Sequence, residues 1–254
     1  MYIPLPNHLH VEWSIRALDA GKHVLCEKPI GLNAAEARTL LAVARRHQTQ
    51  RIGEAFMYRC HPRWERVRQM VRDGAIGALQ TVATEFSYDN RDVANIRNIA
   101  AYGGGAWLDI GCYGVSVARW LFDAEPVAVH GVMQLDPDFR TDALTTASLT
   151  FEHGRATVDC STQRAPGQSV VIHGTTGRIE LDMPFNPPSD RPTTIRFYDR
   201  SVAHEIVIPP RDQFTIQADR FNAAVLDACD VPVSIEDSLA NMLVLDQVVP
   251  SVID

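Results

Sequence analysis

Residues 2–33, YIPLPNHLHVEWSIRALDAGKHVLCEKPIGLN, decide how the chain begins to fold. Apolar residues stand at 2–3 and 23–26, as in two short strands, and the segment between them carries an apolar face at helical spacing. Asn7 is predicted to cap this helix and Gly21 to end it. The stretch therefore predicts a strand, a helix and a second strand.

The second strand ends on charged residues. Glu27 and Lys28 follow it directly, and Pro29 restricts Lys28 to extended backbone geometry or allows a cis peptide bond. Ligands bind at the carboxyl ends of strands in open α/β sheets, where a lysine can donate a proton or hold an alcohol. Taken alone, the triplet is better explained as a surface loop with a solvated lysine–glutamate pair.

Strand and helix patterns alternate up to about residue 57. Asn33 is predicted to cap a helix that continues to residue 48, and residues 50–56 predict another strand. This alternation is typical of a parallel sheet covered by helices. Two strands and a stub are too few to bury both faces of such a sheet, so we expect a fragment of an α/β domain.

From residue 58 onward the pattern is of the α+β class. A helix is predicted up to Gly74, a strand follows it, and a second helix is entered through the glycines at 103–105. Strands then dominate from 126 to 209, and two helices near 213–228 and 236–248 end the chain. Consecutive strands without intervening helices predict one large, mainly antiparallel open sheet with helices on one face.

Composition excludes several classes of function. The chain of 254 residues is 46% hydrophobic and carries a net charge of −7, which argues against a nucleic-acid partner. No apolar stretch approaches the roughly 18–20 residues that span a bilayer, so no membrane partner is expected. The five cysteines are scattered, as in proteins of a reducing compartment, and a cytoplasmic location is expected.

Residues 103–114, GGGAWLDIGCYG, hold a second group of chemically capable side chains. Asp109 and Tyr113 are four residues apart and are predicted to share one helical face that is otherwise apolar. A carboxylate there is costly unless it is paired, and a phenol can donate or accept a proton. Taken alone, the pair is slightly better explained as a core tyrosine bonded to a neighbouring aspartate.

Other candidates are weaker on their own. Arg59 follows a strand and could bind a phosphate or a sugar hydroxyl, although a surface ion pair is the simpler explanation. His8 and His10 lie near a strand end, but their spacing makes a shared metal improbable. No phosphate-binding loop, serine-hydrolase elbow or zinc-protease motif is present, and no metal site is predicted.

Together these stretches resemble the Gfo/Idh/MocA oxidoreductase family. The resemblance lies in three blocks, which follow one another over nearly the whole chain: residues 2–33, residues 95–122 and, more weakly, GTTGRIELD at 174–182. The second block is most similar to the sugar and dihydrodiol dehydrogenase branch. The resemblance implies hydride transfer between nicotinamide and a sugar-, polyol- or dihydrodiol-like hydroxyl carbon.

The resemblance also implies roles for individual residues. It assigns Lys28 to the substrate oxygen, Tyr113 to acid–base chemistry and Asp109 to tuning both. Pro4, Asn7, His10 and Arg59 would contact NAD or NADP, while Glu27 and Pro29 would shape the loop that carries the lysine.

Members of this family usually begin with a complete nucleotide-binding fold. On that basis we expect residues 1–57 to be a truncated Rossmann-type domain that lacks three strands and the glycine-rich loop. Residues 58–254 would then form the substrate and oligomerisation domain. Binding of NAD or NADP is expected to be weak or absent, because contacts to the pyrophosphate supply much of the affinity.

Two interpretations of the chain remain open. In the first, it is an NAD(P)-dependent enzyme that takes a small carbohydrate-like substrate and assembles as a homodimer or homotetramer through its open sheet. In the second, it is a non-catalytic, shortened paralogue that serves as an assembly or binding module. A sheet with one uncovered face is a ready surface for association in either case.

Overall fold

The computed structural model describes residues 1–200 and 202–248. Within them the chain forms a small parallel sheet followed by a large mixed sheet. The strands are β1 Tyr2–Ile3, β2 Val24–Cys26, β3 Ile52–Glu54, β4 Leu79–Asp89, β5 Ala128–Leu135, β6 Asp142–Phe151, β7 Gly154–Ser161, β8 Gln163–Gly174, β9 Gly177–Asp182, β10 Thr193–Asp199 and β11 Val202–Ile208. The helices are α1 His10–Asp19, α2 Ala34–Ala44, α3 Pro62–Arg72, α4 Cys112–Phe122, α5 Gln213–Leu226 and α6 Ile235–Leu245.

The small sheet has the predicted parallel form, in the order β1-β2-β3. Ile3 pairs with Cys26, and Cys26 pairs in turn with Glu54, so the three strands end at the same level. The loops that follow them therefore meet at one edge of the sheet. The N-cap predicted for α2 is confirmed, because the Asn33 side chain accepts a hydrogen bond from the Glu36 amide at 2.9 Å.

The cap predicted for the first helix is wrong. Helix α1 begins at His10, after a short 3₁₀ turn, and no side chain caps it. Asn7 lies within that turn and donates its side-chain amide to the Gly103 carbonyl at 2.9 Å. The asparagine therefore ties the loop after β1 to the glycine segment before α4, a long-range contact that local sequence does not show.

The large sheet has eight strands in the order β11-β10-β9-β8-β4-β7-β6-β5. Its neighbouring pairs are antiparallel except β4–β7, which is parallel. The prediction of a mainly antiparallel sheet is therefore confirmed. The parallel pair arises because β4 comes from the first half of the chain and is inserted between β7 and β8, which come much later in the sequence.

Helix α4 packs on one face of this sheet, over β4 and β7. Gly114 permits the close approach, since a Cβ there would lie 2.6 Å from a methyl carbon of Val158. Along β4 the buried positions Val82 and Thr84 alternate with exposed Ala83 and Glu85. The opposite face of β4 is thus exposed.

The last helix packs back onto the small sheet. Helix α6 contacts α2 and β3, and the Asp246 carboxylate, just after α6, accepts from the Ala34 amide at 2.9 Å. The division of the chain at residue 57 remains a proposal, since both ends of the sequence contribute to this packing. None of the helices within residues 1–200 and 202–248 is long and apolar enough to cross a membrane.

Candidate active site

A cavity of about 790 Å³ lies where the loops of the small sheet face the large sheet. The loops after β1 and β2 contribute Pro4, Asn7 and Lys28 to its wall. Asp109 and Tyr113 line the same cavity from the segment that leads into α4. The structure therefore brings together side chains that are more than 80 residues apart in sequence.

Lys28 is held at this site by Asp109. The Lys28 ammonium donates to Asp109 Oδ1 at 2.9 Å and to the Asp109 main-chain carbonyl at 2.5 Å. Only 12% of the lysine side chain is exposed, so the ion pair is largely desolvated. The Lys28–Pro29 peptide bond is cis. Within the described residues both acceptors of the ammonium belong to Asp109, which leaves one N–H to face the cavity.

Asp109 is the centre of a wider network. Its second oxygen, Oδ2, accepts from the Tyr88 hydroxyl at 2.5 Å and from Arg97 Nε at 3.0 Å. Tyr88 lies near the end of β4, and Arg97 lies in the loop before the glycines. Two cations and a hydroxyl thus satisfy one buried carboxylate, which is the condition for keeping such a group ionised.

The charges of this network support one another. Burial alone would raise the pKa of Asp109, but Lys28, Arg97 and the Tyr88 hydroxyl together hold it below its ordinary value. Burial opposes the positive charge of Lys28, yet the Asp109 carboxylate raises the pKa of Lys28 above that of a free lysine. Lys28 is therefore an ammonium at neutral pH, suited to donating a hydrogen bond.

Tyr113 lies directly beside the ammonium. Lys28 Nζ is 5.1 Å from the centre of the Tyr113 ring, and the Tyr113 hydroxyl donates to Met57 Sδ at 3.4 Å. Burial raises the pKa of Tyr113, although the nearby Lys28 acts in the opposite direction. The phenol is consequently protonated, and its bond to a weak sulfur acceptor is one that a substrate oxygen would readily replace.

The turn that carries Asp109 is unusual. Residues Trp107–Gly111 form a π-helical turn that leads directly into α4, and such turns are frequent at functional sites. Its start is fixed by Asp142, whose carboxylate accepts from the Trp107 amide at 2.7 Å. Sequence analysis predicted a uniform helix with Asp109 and Tyr113 on one face. Both side chains do reach the same cavity, but from a wider turn followed by an α-helix.

The glycines before this turn allow close packing of the chain. A Cβ at Gly105 would lie 2.0 Å from an oxygen of Asp142, and Gly105 also has a φ of +113°. A Cβ at Gly104 would lie 2.4 Å from the Arg97 carbonyl. Gly104 and Gly105 therefore make room for other parts of the chain, and Gly103 and Gly104 also line the cavity.

The loops of the small sheet hold the remaining predicted cofactor residues. Glu27 accepts from the Tyr2 hydroxyl at 2.5 Å, and Pro4 lies in the loop after β1. The two ring nitrogens of His10 lie 2.7 Å and 2.6 Å from the carbonyl oxygens of Pro29 and Leu5. His10 is buried and braces the two loops, while burial lowers its pKa.

Arg59 does not lie at the cavity that holds Lys28. Arg59 is buried away from the cavity that holds Lys28, in an ion pair with Asp237 at 2.5 Å. Its other nitrogens donate to Tyr58 and Ser116. The 3₁₀ turn after β3 directs the arginine toward α4 and α6, so its sequence position after a strand was misleading.

Tyr88 and Arg97 were not among the residues that the sequence predicted for the site. The useful signal was the buried carboxylate itself, which needs more than one partner when it lies on an apolar face. Arg97 stands 12 residues before Asp109, and Tyr88 ends an alternating strand. Neither spacing indicates contact, because both residues reach Asp109 only after the large sheet has formed.

Comparison with known proteins identifies the class to which this fold and site belong. Residues 1–54 match the model of an oxidoreductase family with an NAD-binding Rossmann fold, and residues 64–180 match the GFO/IDH/MocA C-terminal domain. An uncharacterized oxidoreductase of Rhizobium meliloti is 43% identical over 98% of this chain and 76% of its own length. D-xylose 1-dehydrogenase (NADP(+)) 2 of Haloferax volcanii is 32% identical over 99% of this chain and 77% of its own length.

A solved structure shows the same fold. The 3-ketoreductase of Actinomadura kijaniata, in complex with NADP and TDP-benzene, superposes with a TM-score of 0.89 at 33% identity. The match covers 97% of this chain and 76% of the reductase. The chain therefore belongs to the GFO/IDH/MocA family of oxidoreductases, and it spans about three quarters of the length of the relatives named above.

Proposed function

We propose that the chain is an NAD(P)-dependent oxidoreductase that transfers hydride between nicotinamide and a hydroxyl-bearing carbon of a sugar-, polyol- or dihydrodiol-like substrate. The observation that carries the proposal is the buried Lys28–Asp109 pair at 2.9 Å, which opens onto a cavity shared with Tyr113. An ammonium with one N–H directed at open space is suited to binding a substrate oxygen.

Relatives support the catalytic interpretation over the non-catalytic module. The xylose dehydrogenase and the 3-ketoreductase are both enzymes whose names or complexes include NADP, and the residues named above occur in this chain in a connected arrangement. Their substrates are sugar-related, which is why we propose a carbohydrate-like substrate here.

In the proposed mechanism Lys28 and Tyr113 act on the substrate oxygen, and Asp109 acts through Lys28. When the substrate is a carbonyl compound, Lys28 donates a hydrogen bond to the carbonyl oxygen and stabilises the negative charge that develops there. The Tyr113 phenol gives its proton to that oxygen, forming the hydroxyl product, and recovers a proton afterward. Asp109 keeps Lys28 charged and oriented. The reverse reaction uses the same groups with the proton moving to Tyr113.

The loops at the strand ends fit a nicotinamide nucleotide. Pro4, Asn7 and Glu27 line one side of the cavity at the carboxyl ends of the parallel strands, where such ligands bind in open α/β sheets. His10 holds the loops together through two carbonyl groups, so the wall is fixed before a ligand enters. A bound nicotinamide would supply or accept the hydride.

Two measurements test this proposal. A fluorescence titration of the chain with NADPH and NADH measures whether either nucleotide binds and how tightly. It thereby tests the expectation that binding is weak or absent. Where hydride transfer to or from a panel of aldoses, polyols and diols is detected, we expect Tyr113→Phe to lower turnover at least about a hundredfold with unchanged nucleotide affinity. Tyr198→Phe, a tyrosine of β10 outside the cavity, is the control. Unchanged turnover in Tyr113→Phe would refute the assignment.

We further propose that the open face of the large sheet joins copies of the chain into a homodimer or homotetramer. Support comes from the exposed positions Ala83 and Thr157, which lie on the uncovered face of the central strands. Sedimentation velocity tests this, and Thr157→Arg is expected to shift the chain toward the monomer. A monomeric wild-type chain would contradict the proposal.

A further inference from the structure

Several exposed apolar side chains line the cavity that contains Lys28, and three of them come from β8, the segment after β9 and helix α5. They are Pro166, Met183 and Phe214, and each is exposed although large apolar groups are usually buried. Met183 is 47% exposed and Phe214 is 52% exposed, whereas Lys28 has only 12% of its side chain exposed. The apolar residues therefore lie nearer the mouth, continuous with the inner polar site. We call these three residues the apolar rim.

A β-bulge places Pro166 in this rim. Strand β8 pairs with β4 at Gly167–Ser87 and again at Gln163–Asp89, so β8 has two extra residues between these pairs. The bulge is secured by the Ser87 hydroxyl, which donates to the Ala165 carbonyl at 2.7 Å. Bulges commonly redirect side chains beside binding sites.

Met183 is held in place by a costly arrangement. It has a φ of +45°, which is uncommon for a residue with a side chain. Buried Arg63 donates to the carbonyl oxygens of Asp182 at 3.0 Å and Met183 at 2.6 Å. Burial lowers the pKa of Arg63 to about 10, a sign of how strongly it is desolvated. Trp64 donates to the next carbonyl, that of Pro184, at 2.7 Å.

Helix α5 presents Phe214 beside this segment. Asp212 caps the helix by accepting from the Phe214 amide at 3.0 Å. Its neighbour Gln213 is buried and donates to the Phe185 carbonyl at 2.7 Å, which fixes the start of the helix against the Met183 segment. Several polar side chains thus hold the backbone that carries these two exposed apolar groups.

We propose that the apolar rim binds a flat aromatic or heterocyclic group carried by the substrate, so that the enzyme acts on a sugar-like carbon with a planar substituent. This inference rests on the proposed function, because the cavity is taken to hold the substrate. Aromatic and thioether side chains stack well on planar rings, and a backbone that is already held in place lowers the entropy lost on binding.

The chemistry of the rim favours a planar group over a second sugar. A sugar ring needs several hydrogen-bond partners for its hydroxyls, whereas these three side chains have no polar atoms apart from a thioether sulfur. Asn186 is an exposed amide in the same wall and can meet the polar edge of a heterocycle. Gln168, also in the wall, already accepts from the Phe185 and Asn186 amides.

Binding by isothermal titration calorimetry tests the proposal on the full chain. The probes are matched pairs: the 4-nitrophenyl and methyl glycosides of D-xylose and D-glucose, and UDP-glucose with its base-free analogue, which keeps the ribose and both phosphates. We expect the planar member of at least one pair to bind about tenfold more tightly than its partner. The glycosides and the nucleotide distinguish a simple aryl group from a nucleotide base as the planar substituent.

Variants locate the effect. The double variant Met183→Gln/Phe214→Gln is expected to bring the affinity ratio of the pair close to one. Leu226→Gln, at the other end of α5 and 82% exposed, makes the same kind of change outside the cavity and is expected to leave the ratio unchanged. Circular dichroism confirms that each variant is folded, and the single variant Phe214→Gln replaces the double variant if the latter is not.

The outcomes separate this proposal from the proposed function. Equal affinities within every pair, saturable binding of no planar probe, or a ratio that survives the substitutions would each overturn the assignment of the rim. None of these readouts involves nicotinamide or turnover, so hydride transfer through Lys28 and Tyr113 could fail while the rim is confirmed, or the reverse.

Discussion

Two buried clusters of cations and carboxylates show how differently the same chemistry can be used. In the Lys28 cluster, Lys28 and Arg97 bind the two oxygens of Asp109 at the wall of a large cavity. In the Arg59 cluster, Arg59 and Arg119 bind the two oxygens of Asp237 at 2.5 Å and 2.8 Å. Each cluster is one carboxylate between two cations, and each joins distant parts of the chain.

The difference lies in what the cations have left to bind. All three nitrogens of Arg59 have partners among the described residues, and Arg119 forms a two-point pair with Glu125. Lys28 uses two acceptors on one residue and directs its remaining proton toward open space. The Arg59 cluster also borders a cavity, so the feature that distinguishes the Lys28 cluster is its unused hydrogen-bond donor and not burial or a neighbouring cavity.

Among the substitutions that test this comparison, replacement of Lys28 is expected to have the largest effect. Lys28→Met keeps the length of the side chain but removes the donor, and we expect turnover to fall by about a thousandfold, in the range found for groups that stabilise developing charge. Steady-state kinetics with the best substrate of the panel measures it. The chain has one other lysine, Lys22, which is exposed, so Lys22→Met is a matched control.

A thousandfold loss of turnover in Lys28→Met, together with unchanged turnover in Lys22→Met, would show that the Lys28 ammonium takes part in the chemical step. Equal activity of Lys28→Met and the wild type would instead make the Lys28 cluster structural, like the Arg59 cluster.

Breaking the Arg59 cluster should affect stability and not catalysis. Asp237→Asn leaves buried Arg59 without a charged partner, whereas Arg119 keeps Glu125, and we expect the free energy of unfolding to drop by about 3–5 kcal/mol. Urea denaturation measures this change. Asp230→Asn, an exposed aspartate nearby in sequence, should change the stability by no more than about 0.5 kcal/mol. A large fall in turnover of the folded Asp237→Asn variant would show that the two clusters are coupled.

A third carboxyl group beside the Arg59 cluster gives a pH test. Burial raises the pKa of Glu54 from 4.5 to about 7, and Asp237 adds to this effect. Since the folded state then binds a proton more tightly than the unfolded state, stability should fall as pH rises from about 4.5 to about 7. Glu54→Gln should flatten this slope, as measured by urea denaturation across that range. An unchanged slope would mean that Glu54 is not the titrating group.

Removing the Tyr88 hydroxyl is expected to have the smallest effect. Asp109 has a lowered pKa in the folded state, so its contribution to stability is present above the unfolded pKa and is lost as pH falls through the folded one. Tyr88→Phe removes one donor, and we expect a loss of about 1.5 kcal/mol at neutral pH.

The acid loss of stability in Tyr88→Phe should begin at a higher pH than in the wild type, because the folded pKa of Asp109 rises. Urea denaturation at a series of acidic pH values measures both effects. Tyr198→Phe is the control, since Tyr198 bonds to a surface carboxylate, that of Glu180, at 3.2 Å. Identical acid profiles for Tyr88→Phe and Tyr198→Phe would argue against Tyr88 as a partner of ionised Asp109.

Local sequence was sufficient for most of the fold. Alternation along residues 79–88 and the cap at Asn33 predicted elements that the structure contains, because both signals depend on neighbours within a few residues. The convergence of Lys28 with Asp109 was predicted only through family resemblance. No spacing rule connects a residue in the loop after β2 with one in the turn before α4.

The errors share one physical cause. Asn7 was expected to cap a helix, and Arg59 was expected at the cavity, since each stands in a position typical of that role. In the structure each side chain bonds instead to a distant segment, Asn7 to Gly103 and Arg59 to Asp237. Local sequence gives no information about these partners, because they become neighbours only after the whole chain has folded.

The single parallel pair of the large sheet has a consequence for how the chain is made. Strand β4 forms its ladders with residues such as Arg155 and Ile172, which a ribosome adds 70 to 90 residues later. Until those residues emerge, β4 is an alternating segment without partners, the kind of segment that promotes aggregation. Its alternate residues Thr81 and Glu85 are polar, which makes premature association through that face less favourable. Synthesis slower than average over residues 150–175 would therefore be expected to lower the yield of soluble protein.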